Sequence, residues 1–555
     1  MSSKSYISRL STVYFSRHMK QKLLVLAIVV TGFLIRISLI NWDQGHHLHP
    51  DERMLIMVAD RIRFFSHLNP DFFNYGSLPI YILKGTATAI EAISPLKVAN
   101  YDGMLFAGRI LSTLADTITI VIMYKIGMLV SKNKRIGLWA AFSYMIAFFP
   151  IQNSHFFIVD TFLTVFITLQ LYLLILYNKN PCARTIGLLA IVSAAAVTTK
   201  VSAVIFMPVV AVGLLLPHID LKSRVYDLQS IFVHALLFAM CYVLCAFLFM
   251  PYAFIEHARF ISDVKLQTTM NNDPFIFPYT LQYVGTLPYL YYLKNIVLWG
   301  WGPVLSIVSL IGLIRLMGQP HKTTLLILAF YAIYFVVLGK SAVKFMRYML
   351  PLYPFFALLA GYGLCHIMNE KTRTICVVTI GITIAWTGMF LGLYANEHTR
   401  IEASKWIYDN IPAGSSLAVE HWDDRLPLYI PGINGSNIYQ FIEFPLYEKD
   451  TPEKWTLMEQ KLAETDYIII ASNRLYTPLT KLVTCERLPE DKCFPLTAQY
   501  YDDLFNERGG FTKVAEFSSP PRIGPFTIDD QSADESFTVY DHPKILIYKR
   551  RLHSG

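Results

Sequence analysis

Charged residues are scarce in this sequence. Asp, Glu, Lys and Arg make up only 16% of its 555 residues, against 54% hydrophobic side chains, and the mean hydropathy is +0.41. That balance lies well on the apolar side of soluble proteins and places the chain among integral membrane proteins. Nucleic-acid motifs are missing too. The net charge of +8 is spread over short loops between apolar runs, so it reads as membrane topology and not as a nucleic-acid footprint. A cleaved leader is not expected: the first apolar run, 23–40, is long enough to span, and Ile37-Ser38-Leu39 offers no small-residue cleavage site. Cysteines number only seven, and five of them (Cys182, Cys241, Cys245, Cys365 and Cys376) lie in or beside apolar runs as small packing residues. No internal repeat relates the two halves of the apolar part.

What is present is a series of about eleven apolar stretches of spanning length: 23–40, 104–130, 136–151, 157–177, 185–199, 202–217, 229–250, 296–317, 323–339, 348–367 and 374–395. Lys and Arg cluster at alternate ends: Lys20 and Lys22, Lys132 to Arg135, Lys179 and Arg184, Lys222 and Arg224, Arg315 and Lys322, Lys371 and Arg373. The positive-inside rule puts these clusters and the N-terminus in the cytoplasm. Loops 41–103, 152–156, 251–295 and 340–347 and the tail then lie outside. Loop 41–103 is too long for a plain connection, and its amphipathic pieces at 51–66 and 78–93 suit helices lying in the interface. Loop 251–295, with Tyr289, Tyr291 and Tyr292, reads either as a cavity cover or as an interfacial aromatic belt.

After Ala395 the pattern becomes polar. A helix over EASKWIYDNIP, a strand over SLAVEHW, a Thr-capped helix over TPEKWTLMEQKLAETD, a strand over YIIIASN, a helix at 499–508, a strand over FTKVAEF and a final hairpin in FTVYDHPKILIYKR predict a small α/β domain. The expected architecture is thus a polytopic α-helical membrane domain, 1–395, followed by an extracytoplasmic α/β domain, 396–555. That domain carries no glycine-rich phosphate loop, metal cluster or nucleophile motif. Cys485 and Cys493 flank a charged, Pro-containing loop on the oxidising side, which predicts a disulfide between them.

Polar residues stand where apolar ones are expected at four places. Asp51 and Glu52, in HLHPDERM just after the first span, are read as a catalytic base with a neighbouring substrate-binding acid; the alternative is a helix whose first turn favours acids. Ser154, His155 and Asp160 open the fourth span, where Asp160 either acts in catalysis, caps a helix, or pairs with Arg109 or Lys200. Lys340, Lys344 and Arg347 put three positive charges in a short external loop, against the charge rule, and so call for an anion there; lipid headgroups would also satisfy them. Lys84, Arg109 and Lys200 are single cations at membrane depth, either substrate-binding, paired or snorkelling. A carboxylate base facing cations at the outer interface fits transfer of a sugar from a lipid-linked phosphate, which needs proton removal from the acceptor and charge stabilisation of the departing phosphate. A single displacement at the anomeric carbon would invert configuration.

HPDE followed by NPDFFNYGSLPIYIL, then GRILS, SHFFIVDTFLTVF, AVTTK, KFMRYMLPLYPFFALLAG and EASKWIYDNIPAGS occur in an order that resembles the GT-C superfamily of polyprenyl-phosphate-dependent glycosyltransferases. Most similar is the bacterial family 39-like group, with protein O-mannosyltransferases and lipid A aminoarabinose transferases. The resemblance implies Asp51 as the acidic base, Asp160 as the second acidic position, and Lys340, Lys344 and Arg347 in the lipid-phosphate segment. Glu52, His155, Lys84 and Lys200 are the remaining substrate-binding candidates. It further implies a polyprenyl-phosphate sugar donor, a glycan, lipid or protein acceptor, and residence in a bacterial inner membrane. No cofactor is expected: His47 and His49 beside Asp51 and Glu52 suggest a divalent metal as an alternative, but the WWD-like signature of metal-dependent oligosaccharyltransferases is not found. The competing function is a transporter or flippase, with Asp51 and Asp160 carrying protons; clustering of polar residues at one interface speaks against it.

Overall fold

The computed structural model describes residues 3–551 apart from 221–224, 320, 369–370, 422–423 and 434–437. Helix α1 (Ser3–Ile37) is followed by two short helices of the first long loop, α2 (Pro50–Arg61) and α3 (Leu78–Ile93), close to the two amphipathic pieces read from the sequence. Then come α4 (Tyr101–Ser131), α5 (Lys134–Met145), α6 (Phe148–Ser154), α7 (Val159–Lys179) and α8 (Ala183–Thr199). A 3-10 turn leads into α9 (Met207–Leu215), a two-residue hairpin β1 (Ile219–Asp220) and β2 (Val225–Tyr226), and α10 (Leu228–Phe249). The second long loop holds α11 (Tyr252–Ile255), α12 (His257–Asn272) and α13 (Leu290–Asn295). The bundle closes with α14 (Pro303–Met317), α15 (Lys322–Gly339), a 3-10 turn at Met346–Leu352, α16 (Tyr353–Ile367) and α17 (Arg373–Ala395).

Among the described residues seven helical runs are long and apolar enough to cross a membrane, or eight if a pair bent by 118°, Leu290–Gly300 with Pro303–Met317, is counted as one span. The stretch 136–151 breaks at Ile146 into α5 and α6, and α8 has only 17 residues, so neither counts by length. Close packing needs small residues, since lipid supplies no hydrophobic drive between helices. Gly312 of α14 faces the Leu359 carbonyl and Gly363 of α16 faces that of Val308, and a Cβ at either would collide with backbone. Polar pins also occur: Arg36 of α1 bonds Asp116 of α4 at 2.5 Å, and Tyr144 donates to the same carboxylate at 2.6 Å.

The C-terminal part opens with α18 (Thr399–Asn410) and contains a five-stranded sheet of β3 (Ser416–Glu420), β4 (Gln440–Phe444), β5 (Tyr467–Ile470), β6 (Phe511–Phe517) and β9 (Ile545–Arg550). Its order is β4-β3-β5-β9-β6, with β3 parallel to β4 and β5, and β9 antiparallel to β5 and β6. Helix α19 (Pro452–Glu464) is capped by Thr451, as its sequence suggests; α20 (Tyr476–Leu479) and α21 (Pro495–Phe505) follow, and β7 (Arg522–Ile523) and β8 (Phe526–Thr527) form a small hairpin. Cys485 and Cys493 are bridged, with their Cα atoms 5.3 Å apart. The expected final hairpin is not formed. Residues 535–538 make a short helix, α22 (Glu535–Thr538), and β9 enters the sheet alone. Burial overrides β propensity there: Phe537 and Val539 are fully buried in the core of the helical bundle, with Phe537 against the rings of Phe148, Phe390 and Trp299.

Candidate active site

Helix α2 sets the site. Pro50 occupies its first turn and the His49 ring accepts the Glu52 amide at 3.4 Å, so Asp51 and Glu52 both sit at the positive helix end. Neighbours on a helix point about 100° apart, and the two acids diverge. Glu52 turns inward and is fully buried, accepting from Arg109 Nε at 3.0 Å, Arg109 Nη2 at 2.7 Å and the Phe157 amide at 2.8 Å. Arg109 also forks onto Asp43 at 2.9 and 2.8 Å and onto the Ile40 carbonyl at 2.6 Å. Burial raises the Glu52 pKa despite the guanidinium beside it. Glu52 therefore serves the frame, welding α2 to α4.

Asp51 turns outward, with its side chain 25% exposed, into a cavity of about 530 Å³. One of its oxygens forms an ion pair with Arg347 Nη1, and the other accepts from Tyr75 Oη at 3.3 Å. Burial and the Asp51 charge push the Tyr75 phenol up, so it stays a donor. Behind Arg347 the charges continue to alternate: its Nε lies 3.9 Å from Asp160 Oδ2, Asp160 Oδ1 is 2.7 Å from Lys200 Nζ, and that ammonium stands 4.3 Å over the Tyr348 ring. Nη1 of Arg347 is thus taken by Asp51, and its buried Nε faces Asp160 at a distance beyond hydrogen-bond reach.

The structure brings together Asp51, Asp160, Lys200 and Arg347, which are far apart in sequence. It does not bring the other candidates to the cavity. Lys344 is buried with its Nζ on the Ala342 carbonyl at 2.8 Å, and burial lowers its pKa. Lys340 is exposed at the end of α15. Lys84 donates to the Ala99 carbonyl at 2.9 Å, anchoring α3 to the following loop. His155 lies between the carbonyls of Ile151 and Ser38, at 2.8 and 3.0 Å, stacked on Tyr394. His47 and His49 turn away from Asp51: His47 stacks on Tyr101 and His49 is wedged between Phe156 and Tyr540. Tyr289, Tyr291 and Tyr292 serve internal packing as well as any interface, since Tyr291 donates to Asp534 at 2.9 Å and Tyr292 is fully buried.

Sequence reasoning missed the opposite wall of the cavity, which the C-terminal part supplies. Asp424 accepts from Arg400 at 2.7 Å and from Arg53 of α2 at 3.3 Å, while Arg474 donates to Glu535 at 2.7 Å. Tyr540 and, from the second long loop, Tyr279 add aromatic faces to the lining. Arg and Asp in a polar segment carry no contrast that marks them, whereas the misplaced charges of the membrane part do.

Residues 73–427, more than half of the chain, match the model of the Alg9-like mannosyltransferase family. No curated protein matches by sequence. Among solved structures, the archaeal oligosaccharyltransferase AglB from Archaeoglobus fulgidus, in complex with an inhibitory peptide and a dolichol-phosphate, aligns with a TM-score of 0.50 at 10% identity, covering 96% of this chain and 89% of that one. ArnT from Cupriavidus metallidurans, bound to undecaprenyl phosphate, aligns with a TM-score of 0.45 at 14% identity, covering 67% of each chain. The fold expected from the sequence is the fold shared with AglB, and the chain belongs to the Alg9-like mannosyltransferase family of GT-C membrane glycosyltransferases.

Proposed function

We propose that the protein transfers a sugar from a polyprenyl-phosphate donor to an acceptor hydroxyl with inversion, in the cavity between the membrane part and the C-terminal domain, residues 396–555. The observation that carries this is the Asp51–Arg347 pair at the cavity wall, a carboxylate and a buried guanidinium that both line the cavity. Arg347 takes the donor phosphate through its fork and stabilises the charge that builds on it as the glycosidic bond breaks. Asp160 and Lys200 position Arg347 from behind. In the resting site Asp51 is held by Arg347. A bound phosphate takes over the guanidinium and leaves Asp51, steadied by Tyr75, to accept the acceptor hydroxyl proton during attack on the anomeric carbon. Donor binding before acceptor follows from that exchange of partners.

The positive-inside pattern supports a cytoplasmic N-terminus, about eleven crossings once the shorter helices are included, and an extracytoplasmic cavity in a bacterial inner membrane. Purified protein is incubated with polyprenyl-phosphate mannose labelled in the sugar and with a glycan, lipid or peptide acceptor. Label leaving the lipid phase in the wild type, and staying there with Asp51→Asn, supports the reading; label transfer that survives Asp51→Asn refutes it.

A further inference from the structure

Where α2 and the C-terminal domain line the cavity with charges, α12 lines it with amides. That helix carries Arg259, Asp263 and Lys265, yet none of these reaches the lining; Gln267, Met270 and Asn271 do. Gln267 and Asn271 stand one turn apart on one face of the helix. Contacts to the first long loop hold α12 in place: Arg259 bonds Asp71 at 2.9 Å, and the rings of Phe260 and Phe73 meet edge to face at 5.7 Å. The same loop sends a third amide, Asn74, into the lining. Two of the three flank the Asp51–Arg347 pair. Asn74 precedes Tyr75, whose Oη bonds Asp51 at 3.3 Å, and Asn271 accepts at 3.3 Å from Oη of Tyr348, the residue after Arg347. The Val343 amide donates to the Asn271 carbonyl at 3.1 Å and ties α12 to the segment that carries Arg347. Among the described residues no protein group takes the N–H donors of the Asn271 side chain, or either half of the Gln267 and Asn74 amides.

We propose that Asn74, Gln267 and Asn271 form the subsite that reads the hydroxyls of the donor sugar, an inference that rests on Arg347 holding the donor phosphate. A phosphate calls for cations. A sugar offers uncharged hydroxyls, each at once donor and acceptor, and a carboxamide presents both functions from one planar group. Because the sugar is bonded to the phosphate, it must lie beside Arg347, where Asn74 and Asn271 flank the ion pair and Gln267 continues the row by one turn. Tyr279, stacked on Phe277 with ring centroids 5.2 Å apart, adds an aromatic face to the same cavity, and the negative face of a ring suits the C–H groups of a sugar. Amides placed for one set of hydroxyls also discriminate between sugars, since the wrong one leaves a polar group unpaired.

Full-length protein in detergent, titrated with polyprenyl-phosphate mannose and separately with bare polyprenyl phosphate, tests this. The wild type binds the mannosylated lipid more tightly. Gln267→Met, close in shape and without hydrogen-bonding nitrogen or oxygen, and Asn74→Ala each reduce that gain by about fivefold and leave affinity for the bare lipid within about twofold; the double variant abolishes the gain. Neither side chain is buried, so both variants fold, and Asn271 is left in place because it also holds Tyr348. Arg347→Ala weakens binding of both lipids alike. A gain from mannose that survives the double variant, with binding of the bare lipid still dependent on Arg347, overturns the assignment of the amides alone, as does a wild type that draws no gain from mannose. Binding of the bare lipid that Arg347→Ala leaves unchanged overturns the phosphate reading and the sugar subsite with it.

Discussion

On the proposed mechanism Asp51 and Glu52 are adjacent acids with opposite jobs, so nearly isosteric substitutions must separate stability from turnover. In Glu52→Gln the amide nitrogen replaces an oxygen that now accepts from Arg109 Nη2 at 2.7 Å or shares its Nε and the Phe157 amide. A donor then faces a donor, in a site where Arg109, Asp43 and Glu52 side chains are all 0% exposed. Breaking one arm of a buried ion pair costs about 3–5 kcal/mol, a factor of about 10² to 10⁴ in the folded ratio. Asp51→Asn differs on both counts. Asp51 is 25% exposed and its asparagine replacement keeps an oxygen that accepts from Arg347, so stability falls less than in Glu52→Gln, while loss of a general base lowers turnover by about 10² to 10⁴. Thermal unfolding in detergent and labelled-sugar transfer, measured on the same preparations, read the two effects. Glu52→Gln with wild-type unfolding but no turnover, or Asp51→Asn with wild-type turnover, refutes the division of labour.

Arg347→Lys and Arg347→Ala both raise the donor KM and lower kcat together, because a point charge does not replace a planar fork on phosphate; an unchanged donor KM in Arg347→Ala would return this residue to a structural role. Cys485→Ser opens a loop of sequence separation 8 and lowers the stability of the C-terminal domain by about 2–3 kcal/mol on the chain-entropy account, and unreduced peptide mapping of the wild type finds the two cysteine peptides joined. His542, held between Asp541 at 2.5 Å and Asp530 at 2.8 Å, has its pKa pushed up to about 10 by those carboxylates, against the effect of burial. A raised folded pKa gives stability that is complete below about pH 6.5 and declines as pH rises toward 10. Unfolding midpoints should fall over that window, and His542→Gln should remove the slope.

The helical bundle was legible because membrane rules make exceptions conspicuous. Arg347 is a cation in a short loop between apolar runs and Asp160 an acid inside an apolar helix, and both stand in the charge chain behind Asp51. Lys84 and Glu52 broke the same rules and were given the same role, yet one anchors a loop carbonyl and the other a buried arginine. Sequence marks an expensive charge without saying which partner compensates it. The apolar run 136–151 breaks at Ile146, where the sequence does carry a signal: Pro150 lacks the amide that would donate to the Ile146 carbonyl.

The first arm of the hairpin expected over 537–550 is absent for a deeper reason. Taken locally, Phe537 to Tyr540 is β-branched and aromatic and suits a strand. Its hydrophobic partners, however, belong to the helical bundle, more than a hundred positions away. Gln152 donates to the Phe537 carbonyl at 2.8 Å and to Asp541 at 2.9 Å, and Tyr394 donates to Asp541 at 2.8 Å. The same segment carries Glu535 and Tyr540 into the cavity lining. The wedge that fastens the C-terminal domain to the bundle is therefore also part of the wall opposite Asp51. Within six residues the chain thus places Phe537 among the rings of the bundle and Glu535 and Tyr540 in the cavity lining, so the packing that anchors this segment also fixes part of the site.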